Sequence, residues 1–265
     1  MGGVLEGKRA LVTGGHRGLG RGIAEAFVAA GAATAIADIQ GAEATAREIG
    51  QGTVGVACDV RSTESVTGAV AETTRALGGL DILVNNAGVE CLAPLHELSE
   101  DEFDRMVSVN LRGTWLVYKY ALPVLLDGGG AVINIASIAG LVAFPLLGIY
   151  SATKEAVVRM TEAMALELRD HGVRANAICP GFVDTNMVQR SAMDFTAVTG
   201  MPFDELVSKG QGRLARPDEI ASLAVYLASD AASFVNGTAI AVDGGNEPST
   251  GVRFQEARRA IHAAT

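Results

Sequence analysis

Residues 8–20 read KRALVTGGHRGLG. The apolar run Ala10 to Thr13 has the length of a short strand. Gly14, Gly15, Gly18 and Gly20 follow, and then helix-forming sequence. Glycines permit a tight turn and close backbone approach. A helix over 18–30 is therefore predicted to aim its N-terminus at whatever rests on that turn, and free N–H groups at such a terminus suit a pyrophosphate. The spacing is G-x-x-x-G-x-G, not G-x-G-x-x-G, and no Gly-Lys-Ser/Thr follows, which excludes a nucleoside triphosphatase loop. Taken alone, the glycines read equally well as a flexible loop.

The pattern repeats along the chain. Strands are predicted near 8–13, 33–37, 53–57, 80–84, 131–136, 173–179 and 238–242. Helices are predicted near 18–30, 41–50, 62–77, 100–126, 150–171 and 217–229, with Ser62 and Ser99 as acceptor side chains at helix starts. Alternation of this kind, with strands apolar enough to be covered on both faces, predicts an α/β fold: a doubly wound, seven-stranded parallel sheet flanked by helices. No linker composition interrupts it, so residues 1–245 are expected to form a single domain and 246–265 a C-terminal extension. Residues 183–215 show little period and are expected to be an irregular substrate lid.

Composition narrows the function classes. The chain has 265 residues, 49% hydrophobic, with 30 acidic against 21 basic side chains and a formal charge of -9. A chain of this size buries a large core. Its acidic balance argues against binding a nucleic-acid backbone. Cys58, Cys91 and Cys179 are far apart without a CxxC pair, and the four His are scattered. Neither a disulfide framework nor a metal site is expected, and a reducing, cytoplasmic setting is the expectation. The N-terminus lacks the hydrophobic region of a signal peptide. Asn134, Ser137, Gly140, Pro145 and Gly148 interrupt the apolar stretch 131–150, so a strand running into a loop is expected there rather than a membrane span.

Polar residues fall at successive strand ends, where ligands of open α/β sheets bind. Asp38, about 20 residues past the glycine turn, can accept hydrogen bonds from both ribose hydroxyls of an adenosine and would repel a 2′-phosphate. This favours NAD over NADP, while Arg17 can pair with a phosphate and keeps NADP open. Asp59 can accept from an adenine amino group. Asp59-Val60 and Asn85-Asn86-Ala87-Gly88 join the same crevice; singly, each reads as a turn or cap.

Tyr150 and Lys154 are four apart at a helix start and share a face. A phenol ionises near pH 10, and an adjacent ammonium would bring it down, supplying an acid/base group. Ser137 can donate to a polarising carbonyl oxygen, and Asn110 can support Lys154 through its backbone or a water. The ordinary alternatives are a core Tyr, a solvated Lys and a capping Ser.

Taken in order, Thr13-Gly14-x-x-x-Gly18-x-Gly20, Asn85-Asn86-Ala87-Gly88, Asn110, Ser137, Tyr150-Ser-Ala-Thr-Lys154 and Pro180-Gly181 resemble the short-chain dehydrogenases/reductases of roughly 250 residues, over residues 5–245. The resemblance implies a Rossmann fold, a nicotinamide cofactor and a catalytic tetrad at Asn110, Ser137, Tyr150 and Lys154. It implies that Tyr150 exchanges the proton, Lys154 also holds the nicotinamide ribose, Ser137 orients the substrate oxygen and Asn110 anchors a water relay. It places Asp59 and Val60 at adenine, Asn86, Ala87 and Gly88 along the cofactor groove, and Pro180, Gly181, Val183 and Thr185 over the carboxamide. His16, Leu19 and Ile39 adjoin these positions and are grouped with them. The family is commonly tetrameric through its fourth and fifth helices, here 100–126 and 150–171, so a homotetramer is expected.

The expected activity interconverts a secondary alcohol and a ketone with NAD. A binding-only sensor would have no use for a complete tetrad. The expected substrate wall includes Glu90, Cys91, Ile138, Ala139, Leu147 and Phe182, with Met187, Met193, Phe195, Met201 and Phe203 from the lid. It points to a hydrophobic or alicyclic alcohol. Glu90 is read either as a partner for a second hydroxyl or amine, or as an exposed loop carboxylate. The runner-up activity is NADPH-dependent reduction of a 3-oxoacyl or polyketide-type ketone.

Overall fold

Residues 3–246 are described by a computed structural model of the chain. Seven parallel strands form one sheet in the order β3-β2-β1-β4-β5-β6-β7: β1 Arg9–Thr13, β2 Ala33–Asp38, β3 Val54–Ala57, β4 Ile82–Asn85, β5 Gly130–Ile135, β6 Val173–Pro180 and β7 Ala239–Val242. All seven expected strands are present. The order reverses between β1 and β4, which pair through Ala10 with Ile82 and Val12 with Val84. Crossovers to the two sides leave a crevice at such a switch point.

Successive residues of a strand face opposite sides, and the core divides accordingly. Val12, Ile82, Val84, Ile133 and Ile178 pack with Phe27 and Ile220 on one face. Leu11, Leu83 and Val132 pack with Leu116, Leu125 and Met164 on the other. The helices are α1 Gly18–Ala29, α2 Ala42–Ile49, α3 Thr63–Leu77, α4 Glu100–Met106, α5 Thr114–Leu125, α6 Gly148–Leu168, α7 Asn186–Thr199, α8 Phe203–Gly210 and α9 Pro217–Ala228, of which α1, α2, α3, α5, α6 and α9 supply the core residues on these faces. Ser62 and Ser99 accept the Ser65 and Glu102 N–H groups and cap α3 and α4 as expected.

Two expectations are corrected. The helix predicted over 100–126 is not continuous α-helix, because α4 passes into a π-helical stretch, Val107–Gly113, before α5. The extra residue per turn rotates the faces on either side, which a 3.6-residue period cannot register. Residues 183–215 are not irregular either. They contain α7, capped by Thr185 and closed by left-handed Gly200, and α8. None of the α7 side chains is fully buried. The expected C-terminal extension from 247 onward lies outside the described residues.

Two buried asparagines position the helix that bears Tyr150 and Lys154. Asn85 Nδ2 donates to Asn134 Oδ1 at 2.9 Å, and Asn134 Nδ2 donates to Thr161 Oγ1 at 2.8 Å. Buried amides tolerate few geometries. This chain of hydrogen bonds fixes β4, β5 and α6 relative to one another. Among the described residues no helix is long and apolar enough to cross a membrane.

Candidate active site

A cavity of about 580 Å³ runs along the carboxyl ends of the strands. Its wall contains every candidate cofactor residue, from Gly14 through Asp38, Asp59 and Asn86 to Pro180 and Thr185. Ser137, Tyr150, Lys154, Glu90, Leu147 and Phe182 line it as well. Asn110 is the exception. It is fully buried behind the wall.

The glycine turn is built against β4. Asn86 Nδ2 donates to Thr13 O at 2.9 Å and to Gly14 O at 3.1 Å, and the Asn86 N–H donates to Thr13 Oγ1 at 3.0 Å. A Cβ at Gly20 would lie 2.2 Å from Gly14 O and 2.4 Å from Asn86 Nδ2, so backbone packs where a side chain would otherwise sit. The first turn of α1 has no side-chain cap and no acidic residue, which leaves its N–H groups for an anion. Asp38 Oδ2 accepts the His16 N–H at 3.1 Å, and Oδ1 faces the Gln40 N–H at 3.4 Å. The His16 ring turns away to Thr45 Oγ1, 2.8 Å distant. Arg61 grips the Asp59 carboxylate at 2.8 to 3.2 Å and holds its pKa below the usual carboxylate range. These features together fit a dinucleotide.

At the other end, Tyr150 and Lys154 are 9% and 5% exposed, so neither is a solvated surface group. Lys154 Nζ donates to Ile135 O at 2.8 Å and lies 5.7 Å from the Tyr150 ring centroid. Burial lowers the Lys154 pKa to about 8. The phenol of Tyr150 does not follow expectation: burial and the charge of Glu90 push it above its ordinary value, against a hydrogen bond with Ser137 that pulls it down. Desolvation here is the largest effect and outweighs the hydrogen bond with Ser137. Ser137 Oγ also accepts the Ala139 N–H at 3.1 Å, capping the turn Ile138–Gly140, so this residue is a cap as well as part of the cavity wall.

Asn110 sits in the π-helical stretch. Its Oδ1 accepts the Val89 N–H and its Nδ2 donates to Val89 O, both at 2.8 Å, and Nδ2 also reaches Thr153 Oγ1 at 3.2 Å. Asn110 thus ties the loop after β4 to α6. A Cβ at Gly88 would lie 3.5 Å from both Asn110 Oδ1 and Lys154 Nζ, which places the two residues beside one another across that glycine.

A family model described as "Enoyl-(Acyl carrier protein) reductase" matches residues 14–247. The sorbitol dehydrogenase of Cereibacter sphaeroides is 39% identical over 253 residues, 91% of this chain and 98% of the relative. The 2,5-dichloro-2,5-cyclohexadiene-1,4-diol dehydrogenase of Sphingobium indicum is 42% identical over 247 residues, 91% and 97%. The crystal structure of a short-chain type dehydrogenase/reductase from Mycobacterium marinum matches at a TM-score of 0.84 and 35% identity, covering 91% of this chain and 96% of that one. The chain belongs to the short-chain dehydrogenase/reductase family. It is an oxidoreductase acting on alcohol CH–OH groups, and the family works with NAD(H) or NADP(H).

In this short-chain dehydrogenase/reductase Glu90 is half-buried, not an exposed loop carboxylate. Its Oε1 accepts a hydrogen bond from the Ser191 hydroxyl of α7, and Arg105 Nη2 holds its backbone carbonyl at 3.0 Å. The wall from α7 comprises Asn186, Met187, Val188, Arg190, Ser191 and Asp194. Of these, sequence reading anticipated Met187 alone. The caps Thr185 and Gly200 would have announced the helix, and positions 187, 190, 191 and 194 share one face. The remaining expected lid residues stand elsewhere. Met193 is exposed, and Phe195 and Phe203 form an edge-to-face chain behind Phe182. Gln211 was also missed. Its Oε1 accepts the Phe182 N–H at 2.8 Å and its Nε2 donates to Phe182 O at 2.7 Å, fixing that ring's backbone.

Proposed function

We propose that this enzyme interconverts a hydrophobic or alicyclic secondary alcohol and its ketone, with NAD as the dinucleotide. Gly14, His16, Arg17, Gly18, Leu19 and Gly20 hold the pyrophosphate end, and Asp38 and Ile39 the adenosine ribose. Asp59 and Val60 flank the adenine, with the Asp59–Arg61 ion pair at its edge. Asn86, Ala87, Gly88, Pro180, Gly181, Val183 and Thr185 border the nicotinamide half. When bound, the nicotinamide ring supplies the hydride acceptor or donor.

The chain's own residues move the proton. In the oxidative direction Tyr150 first gives up its own proton, and its phenolate then takes the hydroxyl proton of the alcohol while Ser137 donates to the carbinol oxygen. Lys154, with a pKa of about 8, keeps most of its charge near neutral pH and opposes the burial that raises the phenol. Asn110 holds the Val89 loop and α6 in register, so that Tyr150 meets the carbinol in reacting geometry. We also take the assembly to be a homotetramer: Phe103, Trp115 and Leu166 on α4, α5 and α6 are exposed apolar side chains.

The observation that carries the reading is the burial of Tyr150 and Lys154 in the cavity whose opposite end is the Asp38 ribose position. Tyr150→Phe tests it. Turnover should fall by about 10²- to 10⁴-fold, the usual worth of a positioned acid/base, while NADH titration by fluorescence shows unchanged affinity. Normal turnover by the variant would remove Tyr150 from its role.

A second reading is NADPH-dependent reduction of a 3-oxoacyl or polyketide-type ketone; its ketone part is supported by the likeness to the 3-ketoacyl-(acyl-carrier-protein) reductase of Brucella melitensis, 36% identical at a TM-score of 0.83, which was crystallised with NADH. Asp38 weighs against it, since a carboxylate at the end of β2 would repel a 2′-phosphate.

A further inference from the structure

At the substrate end of the cavity Leu92, Phe144, Leu147, Phe182 and Met187 form an apolar part of the wall, and Arg190, Ser191 and Asp194 of α7 a polar part. Glu90 sets a carboxylate in the same wall. It lines the same cavity as Ser137, Tyr150 and Lys154, and its charge acts on both Tyr150 and Lys154. A carboxylate offers about four lone-pair positions. Here a side-chain hydroxyl, that of Ser191, donates to Oε1, which shows the kind of donor this position takes. A simple alcohol entering this pocket would leave the rest of that acceptor capacity without a partner, an unfavourable state for a half-buried charge.

We propose that Glu90 sets substrate specificity by accepting a hydrogen bond from a second hydroxyl adjacent to the reacting carbinol, so that the preferred substrates are vicinal diols on an apolar ring. The inference rests on the dehydrogenase reading above. On entry the substrate hydroxyl takes over or shares the position of the Ser191 hydroxyl, and the tie between α7 and the loop after β4 then runs through the substrate. The apolar wall receives the ring, and Ser137 and Tyr150 receive the reacting oxygen.

The test compares kcat/KM for cis- and trans-cyclohexane-1,2-diol with that for cyclohexanol, using NAD and the purified enzyme. The wild type should prefer one diol isomer by about ten- to hundredfold, the range for a hydrogen bond to a charged acceptor. Glu90→Leu should bring that ratio close to one, and Glu90→Gln, whose amide oxygen still accepts, should retain part of it. Turnover of ring and diol alike with a wild-type ratio within about twofold would overturn the proposal, as would a Glu90→Leu ratio equal to the wild type's. Should Glu90→Leu fail to fold, the wild-type ratio and Glu90→Gln decide. Absence of turnover of all three alcohols with either NAD or NADP would overturn the dehydrogenase reading and this inference with it, a result distinct from turnover at a flat ratio.

Discussion

Asp38 ends β2 with one carboxylate oxygen on the His16 N–H and the other toward the Gln40 N–H. Both contacts orient the group, and neither neutralises it. An incoming ribose can therefore use the remaining lone pairs, whereas a 2′-phosphate would meet an uncompensated like charge. Arg17, exposed at the start of α1, is close enough in sequence and in the cavity wall to compete for that phosphate. Asp38→Ala should lower kcat/KM for NAD by about ten- to hundredfold, the loss expected for hydrogen bonds to a charged acceptor, and should raise kcat/KM for NADP as Arg17 gains a partner. Steady-state kinetics with both nucleotides at fixed alcohol decide it. An Asp38→Ala variant with the wild-type NAD/NADP ratio would show that Arg17, or neither residue, sets the choice.

The elements show why some of the fold and site was readable in the chain and some was not. β1, the glycine turn and α1 announce themselves because each step is local: an apolar run, glycines where backbone must close on backbone, a helix with its N–H groups left free. All seven strands have the same local signature. The Asn134 in β5 reads as a blemish in an apolar strand, and only the fold reveals that it joins Asn85 to Thr161. Asn110 was named from a motif, yet its work depends on a π-helical stretch that no periodicity encodes. Gly140 is another case of tertiary cause. Its missing side chain looks like turn chemistry, but an added Cβ would lie 2.7 Å from Lys154 C and 2.8 Å from Lys154 O. Gly140→Ala must push the turn Ile138–Gly140 away from α6 at the residue that carries the ammonium. Such overpacking costs about 1–3 kcal/mol, a fall in Tm of about 2–10 °C for a chain of this size, and turnover should drop at least about tenfold as Lys154 shifts. Gly68, exposed within α3, has nothing within 4 Å of its added Cβ. Gly68→Ala should leave turnover alone and raise Tm slightly. Equal behaviour of the two variants by calorimetry and rate assay would refute the steric account.

On the scale of the whole molecule, the site is a cost to folding that the two-faced core supports. Lys154 is buried and Glu90 half-buried, each with its ordinary charge disfavoured, in opposite directions on the pH axis. Burial raises the Glu90 carboxyl, so the folded chain holds that proton more tightly than the unfolded one. Its contribution is complete below the ordinary carboxylate range and is lost as pH rises through the raised value. Burial lowers Lys154 to about 8, so the folded chain gives up that proton first, and stability recovers as pH rises from about 8 toward the ordinary lysine value near 10.4. Two variants separate these effects. Glu90→Gln should melt above the wild type near neutral pH and lose that margin near pH 4. Lys154→Met should melt above the wild type near neutral pH and lose its margin by about pH 10.5, where the unfolded lysine is also largely neutral. Thermal melts across pH, each variant against wild type, check both windows. A margin for Lys154→Met that grew with rising pH would mean that the buried ammonium stabilises the fold through Ile135 O and is not tolerated against its desolvation.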